Sequence, residues 1–213
     1  MSKDDEERFG RVEQQIIVQD APYRLSHFVD FPYLTHEQVN YAHDKKEISF
    51  GCVYNPDFLD VVGTKADIII NAIWTNLPYG LFVADIVIAI VLKKWILFLG
   101  VPFGLFGIWA SSPHFRWRDN ISGLGGLSFI LSFFILDWPW SVIIGLMLFA
   151  QIFSWTAREH YRMVVEERAL KSEIFFCYMF KNGYFLLKDN KTNKIFEPKL
   201  LSNDGQGSSE ALF

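Results

Sequence analysis

The sequence lacks the features of several large functional classes. Of its 213 residues, two are cysteines, Cys52 and Cys177, and they form neither a CxxC pair nor a metal-ligand spacing. We therefore expect two buried, reduced thiols rather than a disulfide framework. The 20 basic residues are outnumbered by 24 acidic ones and form no basic stripe, which argues against nucleic-acid binding.

Catalytic and cofactor motifs are also missing from the sequence. No serine or cysteine lies in a glycine-rich elbow or beside a paired base, so nothing supports hydrolase chemistry. His36 and His43 lie further apart than the i, i+4 spacing that suits two ligands of one zinc ion on a helix. We expect solvated or capping histidines, no metal or other cofactor, and a protein that is not an enzyme.

A cleavable leader is missing at the N-terminus. The chain starts with MSKDDEER, which is charged and has no apolar core. We expect residues 1–11 to be disordered and the first membrane segment to act as the targeting signal. The N-terminal region is then expected to remain in the cytosol.

The sequence is rich in apolar and aromatic residues, which make up 51% and 17% of the chain. They concentrate in four nearly uncharged stretches, residues 79–92, 95–110, 121–136 and 141–155. We predict four short transmembrane helices in two hairpins within residues 77–156. Helices of about fifteen residues rise about 22 Å, whereas a hydrocarbon core is about 30 Å thick, so the hairpins either thin the bilayer, lean on partner helices or re-enter by one face.

The segment before the first stretch has the period of an amphipathic helix, with isoleucines on one face and polar residues on the other. We interpret residues 66–76 as a helix that lies in the membrane interface. A new helix would then start with Asn76 as its N-cap and Pro78 in its first turn. The alternative is one continuous helix over residues 66–92, kinked at Pro78.

The polar segments on either side predict a small α+β cytoplasmic domain. In residues 1–65 we predict a strand at 16–18, a helix over 36–47 and a strand over 48–54. The helix opens with a capping box, Thr35 and Gln38.

The C-terminal segment, residues 157–201, completes this predicted domain. We predict that the last membrane helix continues to about Ser172, followed by an aromatic strand over 174–180. Lys181-Asn182-Gly183 then has the composition of a hairpin turn into a strand at 184–187, with a third short strand at 195–196. Because so small a meander is unstable alone, we expect it to pair with the N-terminal strands. Residues 202–213 are predicted to form a disordered tail.

Basic residues determine the predicted orientation, because cytoplasmic loops carry an excess of lysine and arginine. They occur in the linker between the hairpins and after the last helix, both after an even number of crossings, so both termini are expected on the cytoplasmic side of a membrane. Lys93 and Lys94 disagree with this topology if the first hairpin spans fully, although two lysines can snorkel to the interface. A re-entrant first hairpin would remove the disagreement. The residues predicted to meet lipid head groups are Lys93, Lys94, Arg116, Arg118, Arg158 and Arg162.

Asp85 is the acidic residue inside an apolar helix, and a lone buried carboxylate is unfavourable unless it is paired, hydrated or protonated. A functional interpretation makes Asp85 a proton or cation site, or a hydrogen-bonding anchor between subunits. The alternative is a carboxylate near a thinned interface, or one that a neighbouring helix satisfies.

Small residues predict close helix packing in the two central stretches. The small residues at this spacing are Gly100, Gly104, Gly107, Ser122, Gly126, Ser128 and Ser132. We expect the second apolar helix to pack on the third within one chain. Self-association between chains is the alternative.

Two hydrophobic hairpins joined by a basic linker form an outline similar to reticulon-like and prenylated-Rab-acceptor-like membrane-shaping proteins. Each hairpin is also similar to the small hairpin subunits of conjugative secretion machines. The likeness covers residues 78–156 and rests on the apolar pattern, so it assigns no family.

Together these observations predict a non-enzymatic membrane subunit that acts as a scaffold or sensor. It would assemble with itself or with a soluble cytoplasmic partner. One alternative is an oligomeric ion-conducting or depolarising channel with Asp85 in its pore. Another is a membrane-shaping hairpin protein.

Overall fold

The computed structural model describes residues 3–19, 24–28, 31–33, 35–55, 58–59, 62–112 and 118–198. The helices are α1 Lys3–Gln19, α2 His36–Asp44, α3 Lys65–Val91, α4 Gly100–Ala110, α5 Arg118–Ile135, α6 Trp138–Lys171 and α7 Glu173–Lys181. The strands are β1 Ile48–Cys52, β2 Phe185–Asp189 and β3 Ile195–Phe196, and 3₁₀ turns cover Leu25–His27 and Trp95–Leu99. The chain divides into a terminal unit, residues 1–62 and 162–213, and a helical unit, residues 63–161.

The first helix of the terminal unit corrects two predictions. Residues 3–19 are helical, where we predicted a disordered leader to residue 11 and a strand at 16–18. Val12 and Ile16 are buried four residues apart, and the Phe9 ring packs edge-on against Phe175 at 5.6 Å. An apolar stripe at helical spacing, covered by the C-terminal segment, explains why this charged segment is ordered.

Helix α2 confirms the predicted capping box. Thr35 Oγ1 accepts a hydrogen bond from the Gln38 N–H, and Gln38 Oε1 accepts one from the Thr35 N–H. The helix ends at Asp44 because Lys46 has a left-handed backbone with φ 56°, and the Glu47 N–H donates to the Ala42 carbonyl. The predicted strand follows at once as β1.

Helix α7 replaces the aromatic strand that we predicted over residues 174–180. Ser172 Oγ caps it by accepting a hydrogen bond from the Phe175 N–H at 3.2 Å. Gly183, with φ 69°, ends it, and the Tyr184 N–H donates to the Met179 carbonyl at 3.1 Å. The predicted hairpin turn at residues 181–183 is therefore a helix C-terminus.

The sheet joins the two ends of the chain. Its strand order is β1-β2-β3, and both pairings are antiparallel, with Phe50 opposite Leu187 and Leu187 opposite Phe196. The predicted pairing of residues 48–54 with the C-terminal strands is confirmed. The terminal unit's sheet therefore pairs two strands, β1 and β2, that are far apart in sequence.

An aromatic core fills the terminal unit. Phe175, Phe176, Phe180 and Phe185 are fully buried. The ring centroids of Phe176 and Phe185 lie 5.4 Å apart, and those of Phe50 and Phe185 lie 4.5 Å apart. The terminal unit thus has a hydrophobic core of its own.

In the helical unit, α3 is continuous over 27 residues. This corrects the predicted break between an interfacial helix at 66–76 and a helix capped by Asn76, and the continuous alternative is the one that forms. Thr64 caps the helix through Asp67, whose Oδ2 accepts from the Thr64 N–H at 2.8 Å. Pro78 lies inside the helix, and the Asn76 amide donates to the Ala72 carbonyl at 2.7 Å instead of capping.

Two helices of the described chain, α3 and α6, are long and apolar enough to cross a membrane. Their 27 and 34 residues correspond to about 40 Å and about 51 Å of helix. The apolar segment Trp95–Ala110 is shorter, and four spans are not shown. We predicted apolar helices of about fifteen residues, and α3 and α6 are both longer than that.

The helices of this unit pack as antiparallel neighbours. The turn after α3 is made by Lys93, with φ 52°, and the Lys94 N–H donates to the Ala89 carbonyl at 3.0 Å, so α4 folds back on α3 as the predicted hairpin. Asp67 of α3 lies near His160 of α6, and the Trp74 ring lies 5.5 Å from the Phe153 ring. From Asp67 to Trp74 the residue numbers of α3 rise, while those of their α6 neighbours fall from His160 to Phe153. These two helices are therefore antiparallel.

Candidate functional site

The predicted site residue Asp85 lies on the buried stripe of α3. The buried residues of this stripe are Asn71, Pro78, Phe82, Asp85 and Ala89, at spacings of three, four and seven that place them on one helical face. The Asp85 side chain is 2% exposed. It lies against α4, because a Cβ added at Gly100 would be 2.4 Å from Asp85 Oδ2.

The Asp85 carboxyl group has no hydrogen-bond partner for either oxygen among the residues that the structure describes. Its surroundings include the glycine backbone of α4 and the Leu146 side chain, which also reaches Gly100. An ionised carboxylate in such a place requires water or a cation. The described residues contain no group of three His, Cys, Asp or Glu side chains that could hold a metal ion.

The glycines of α4 form a contact face, but with other partners than we predicted. A Cβ at Gly104 would lie 2.1 Å from the Phe82 ring of α3, and one at Gly107 would lie 2.2 Å from the Met147 carbonyl oxygen of α6. The nearest atoms to this face thus come from α3 and α6, whereas the sequence predicted the next helix, α5. The reason is that Phe82 and the α6 backbone occupy the space that the missing side chains leave.

The small residues of α5 have different surroundings. A Cβ at Gly126 would meet no atom of the described residues within 4 Å, and Ser128 is exposed. Ser132 is buried, and its hydroxyl donates to the Phe129 carbonyl of its own helix at 2.7 Å. Ser122 lies in α5, but its side chain is outside the described part of the chain.

A cleft of about 300 Å³ lies between α3, α5 and α6. Its lining residues are Leu81, Phe129, Trp138, Ser141, Val142, Gly145, Leu146 and Phe149. Ser141 is the polar residue among them, and its hydroxyl is buried without a hydrogen-bond partner in the described chain. We call this the α6 cleft. No sequence motif indicated it, although Ser141, Val142 and Gly145 have the helical spacing of one face.

The residues that we predicted to meet lipid head groups differ in their exposure and in their hydrogen bonding. Lys93 and Lys94 are exposed at the α3–α4 turn. Arg162 donates to Glu166 at 2.7 Å, and Arg158 is half-buried. Arg118 is the first residue of α5 but its side chain is outside the described part, as is all of Arg116.

The histidines of α2 have structural roles that the sequence did not indicate. His43 Nε2 lies 2.5 Å from Glu166 Oε1, and its ring stacks on Phe50 with centroids 5.1 Å apart. His36 Nε2 lies 2.8 Å from the Ala169 carbonyl oxygen. Both residues therefore hold α2 against the last part of α6, in place of the solvated or capping roles that we predicted.

A second concave surface lies beside α2 in the terminal unit and measures about 640 Å³. Its lining residues are Pro32, Tyr33, Thr35, Glu37, Gln38, Tyr41, Ala42 and Glu47. Burial, with the nearby charges of Glu47 and Asp189, raises the pKa of Tyr33 above its ordinary value. Tyr41 is 63% exposed at this surface, which we call the α2 cleft.

Comparison with known proteins identifies no relative: no protein-family model matches this chain, and no curated protein or solved structure is significantly similar to it.

Proposed function

We propose that this chain is a non-enzymatic integral membrane subunit that acts as a scaffold. In this proposal the helical unit lies in a bilayer, and the terminal unit binds a soluble protein on the cytoplasmic side. The observation that carries the proposal is the distribution of exposed apolar side chains between the two units.

The exposed large apolar side chains are concentrated in the helical unit. Among the described residues, all but six of them lie between Ile69 and Trp155. The six are Tyr41, Val53, Met163, Tyr184, Leu186 and Ile195. An apolar surface of that extent is far larger than water-exposed proteins usually tolerate, and lipid is the solvent that suits it.

The sheet of the terminal unit supports an even number of membrane crossings. Because β1 precedes α3 and β2 follows α6, and the two strands pair directly, the sheet supports a topology in which the segments before α3 and after α6 lie on one side of the membrane. Helices α3 and α6 supply two crossings, and α4 with α5 either re-enter or supply two more. The basic residues in the last part of α6, from Arg158 to Lys171, favour the cytoplasm as this common side.

The surroundings of Asp85 favour a scaffold over a channel. A residue that lines a pore between several copies would be exposed in a single copy, whereas Asp85 is covered by α4 within its own chain. The membrane-shaping alternative relied on short, wedge-like hairpins. The lengths of α3 and α6 remove that argument for two of the four apolar segments.

The α2 cleft is the docking surface that we propose for the soluble partner. Glu37 and Glu47 line it; Lys191 donates a hydrogen bond to Glu47 at 2.7 Å, so the charge that a basic segment of a partner protein would complement is that of Glu37. Tyr41 offers an exposed aromatic ring, and tyrosines are frequent among the residues that dominate binding energy. The proposed occupant is therefore an extended, lysine- or arginine-rich segment.

Affinity purification of the tagged chain from native membranes in mild detergent tests the proposal. We expect the chain to stay in alkali-washed membranes and to retain a soluble protein at fixed stoichiometry. The double variant Tyr41→Ala, Glu37→Lys should retain at least about ten-fold less of that partner. A residue that dominates binding contributes more than about 1.4 kcal/mol, which corresponds to a ten-fold change in affinity. Tyr184→Ala, an exposed tyrosine of the same unit outside the α2 cleft, is the matched control and should bind normally.

Other outcomes would overturn the proposal. Recovery of the chain in the soluble fraction would contradict its membrane location. A homo-oligomer without a partner, whose ion conductance in vesicles is lost in Asp85→Asn, would establish the channel instead.

A further inference from the structure

We propose that the α6 cleft binds one acyl chain of a bilayer phospholipid, with the Ser141 hydroxyl donating a hydrogen bond to its ester carbonyl. This inference rests on the proposed bilayer location of the helical unit. It adds a specific lipid site to a surface that would otherwise meet lipid without selection.

The shape of the α6 cleft suits an elongated apolar ligand. Its α6 residues lie on one helical stripe, which runs from Trp138 through Ser141, Gly145 and Leu146 to Phe149. Eleven residue steps along a helix extend about 16 Å. The Phe129 ring of α5 packs over Gly145 in the middle of this stripe, 2.8 Å from where a Cβ would lie, and forms one wall of the cleft. The residues that line the cleft therefore follow the axis of α6 over this distance.

The walls of the α6 cleft match hydrocarbon. Apart from Ser141, the side chains that line it are apolar or aromatic, including Leu81 of α3. A concave, mostly apolar site between helices with one well-placed polar group is the usual form of a small-molecule pocket. Its volume of about 300 Å³ is at the lower end of such pockets, so it fits a single chain rather than a bulky head group.

Ser141 supplies the polar contact. Its side chain is 3% exposed, and Ser141 Oγ has no hydrogen-bond partner among the described residues. A buried hydroxyl without a partner carries a desolvation penalty that nothing in the described chain offsets. A ligand carbonyl at the Ser141 end of the cleft would accept its hydrogen bond.

The position of Ser141 selects a phospholipid. Ser141 lies one helical turn after Trp138, close to the start of α6, and the turn before it carries Asp137. Tryptophans at helix ends mark the boundary between head groups and hydrocarbon, where the ester carbonyls of phospholipids lie. From that level the stripe leads along α6 toward Phe149, away from the boundary. The Ser141 hydroxyl, which would donate to the ester carbonyl, therefore comes before the apolar part of the cleft. This is the order of ester group and acyl chain in a phospholipid that enters from the head-group level.

Photo-crosslinking of the full-length chain in vesicles tests the site. The probe is phosphatidylcholine with a diazirine in one acyl chain, mixed into unlabelled phosphatidylcholine, and labelled residues are identified by mass spectrometry. We expect labelling at Val142, Gly145 and Phe129 to exceed labelling at the exposed residues Val83 and Phe134 at least five-fold.

Two variants and one control separate the cleft from general lipid contact. Val142→Trp fills the α6 cleft and should reduce labelling of Phe129 at least five-fold. Ser141→Ala removes the hydroxyl with little change of shape and should reduce it about three-fold or more. Ser154→Ala, a serine of the same helix outside the α6 cleft, should label as the unchanged protein does.

The contrary results distinguish this inference from the proposed function. Even labelling of cleft and exposed residues, or unchanged labelling in both Val142→Trp and Ser141→Ala, would overturn the lipid site while leaving the chain in the bilayer. If no residue of α3 or α6 were labelled, both the lipid site and the bilayer location would be overturned.

Discussion

Phenylalanine occurs in both units, but the helical unit exposes several of its rings, whereas the terminal unit buries a cluster of them. In the terminal unit Phe175, Phe176 and Phe180 are fully buried in a shared aromatic core. In the helical unit Phe103 and Phe134 are 43% and 83% exposed. These side chains thus point inward in the terminal unit and outward in the helical unit, where we propose that lipid surrounds them. Composition alone does not separate the two units, whereas the direction of their apolar side chains does.

The largest expected effect is the slow alkylation of the Cys177 thiol, which reports whether the core of the terminal unit excludes reagent. Burial, and to a lesser extent the charge of Glu173, raises the pKa of the Cys177 thiol from 9.0 to about 12. The reactive thiolate is therefore about a thousand times rarer at Cys177 than at an ordinary thiol. We expect iodoacetamide at pH 8 to modify Cys177 at least about a thousand times more slowly than the half-buried Cys52, as measured by mass spectrometry. Equal rates would show an open core.

The same thiol predicts a pH dependence for the terminal unit. In the unfolded chain the thiol ionises near its ordinary pKa of 9.0, whereas in the folded chain it ionises near 12. The free energy of unfolding should therefore be unaffected by Cys177 below pH 9 and should fall as the pH rises from 9 toward 12. Urea unfolding at several pH values, with Cys177→Ala as the control that lacks this fall, measures it.

Truncation of a phenylalanine in each unit tests the comparison directly. Phe176→Ala removes a fully buried ring that packs against Phe185, Phe50 and Phe180, and should lower the free energy of unfolding of the terminal unit by about 3–5 kcal/mol. Phe134→Ala, at an exposed site, should change stability by about 0.5 kcal/mol or less. Urea unfolding in mild detergent compares them. Similar losses in both variants would mean that the helical unit buries Phe134 against protein.

Alanine substitution of two glycines tests the packing inside the helical unit. A Cβ at Gly107 would lie 2.2 Å from the Met147 carbonyl oxygen, so Gly107→Ala should destabilise this unit by about 1–3 kcal/mol. Gly80→Ala is the matched control in α3. Its Cβ would meet no atom of the described part of the chain within 4 Å, and it should add about 0.5–1 kcal/mol of helix stability. Thermal unfolding in detergent should shift in opposite directions, and a harmless Gly107→Ala would contradict the close approach of α4 and α6.

Asp85→Asn is expected to have a small effect. Asparagine has nearly the same shape as aspartate, and in the described chain no hydrogen bond to either carboxyl oxygen is lost. We expect a change in thermal stability that corresponds to about 1 kcal/mol or less. A loss of about 3 kcal/mol or more would instead reveal a buried cation or charged partner at this carboxylate.

The sequence predicted those parts of the fold that depend on neighbouring residues. The capping box at Thr35 and the strand at Ile48–Cys52 need few distant contacts to be recognised. The long run of α6 to Lys171 also followed from its local pattern. The sequence likewise singled out Asp85 and the glycines of α4, because a charge in an apolar helix and repeated small residues are visible without a structure.

The sequence misled where distant contacts decide the local structure. Residues 174–180 are rich in aromatic side chains that favour strands, yet they form a helix because the Ser172 cap and the surrounding core favour one. Helix α1 depends on packing of Phe9 against Phe175, far away in sequence. The α6 cleft arises from three helices at once, so no single segment could indicate it.

The pairing of β1 with β2 has a consequence for biosynthesis. Ser49 donates a hydrogen bond to Asn190, 141 residues later in the chain. The ribosome therefore releases β1 long before its partner strand exists, and every apolar helix emerges in between. Closure of such a long loop is a late and slow step of folding. The terminal unit can be completed only after the last apolar helix has been synthesised, so a truncated chain would lack the finished surface that we propose a partner binds.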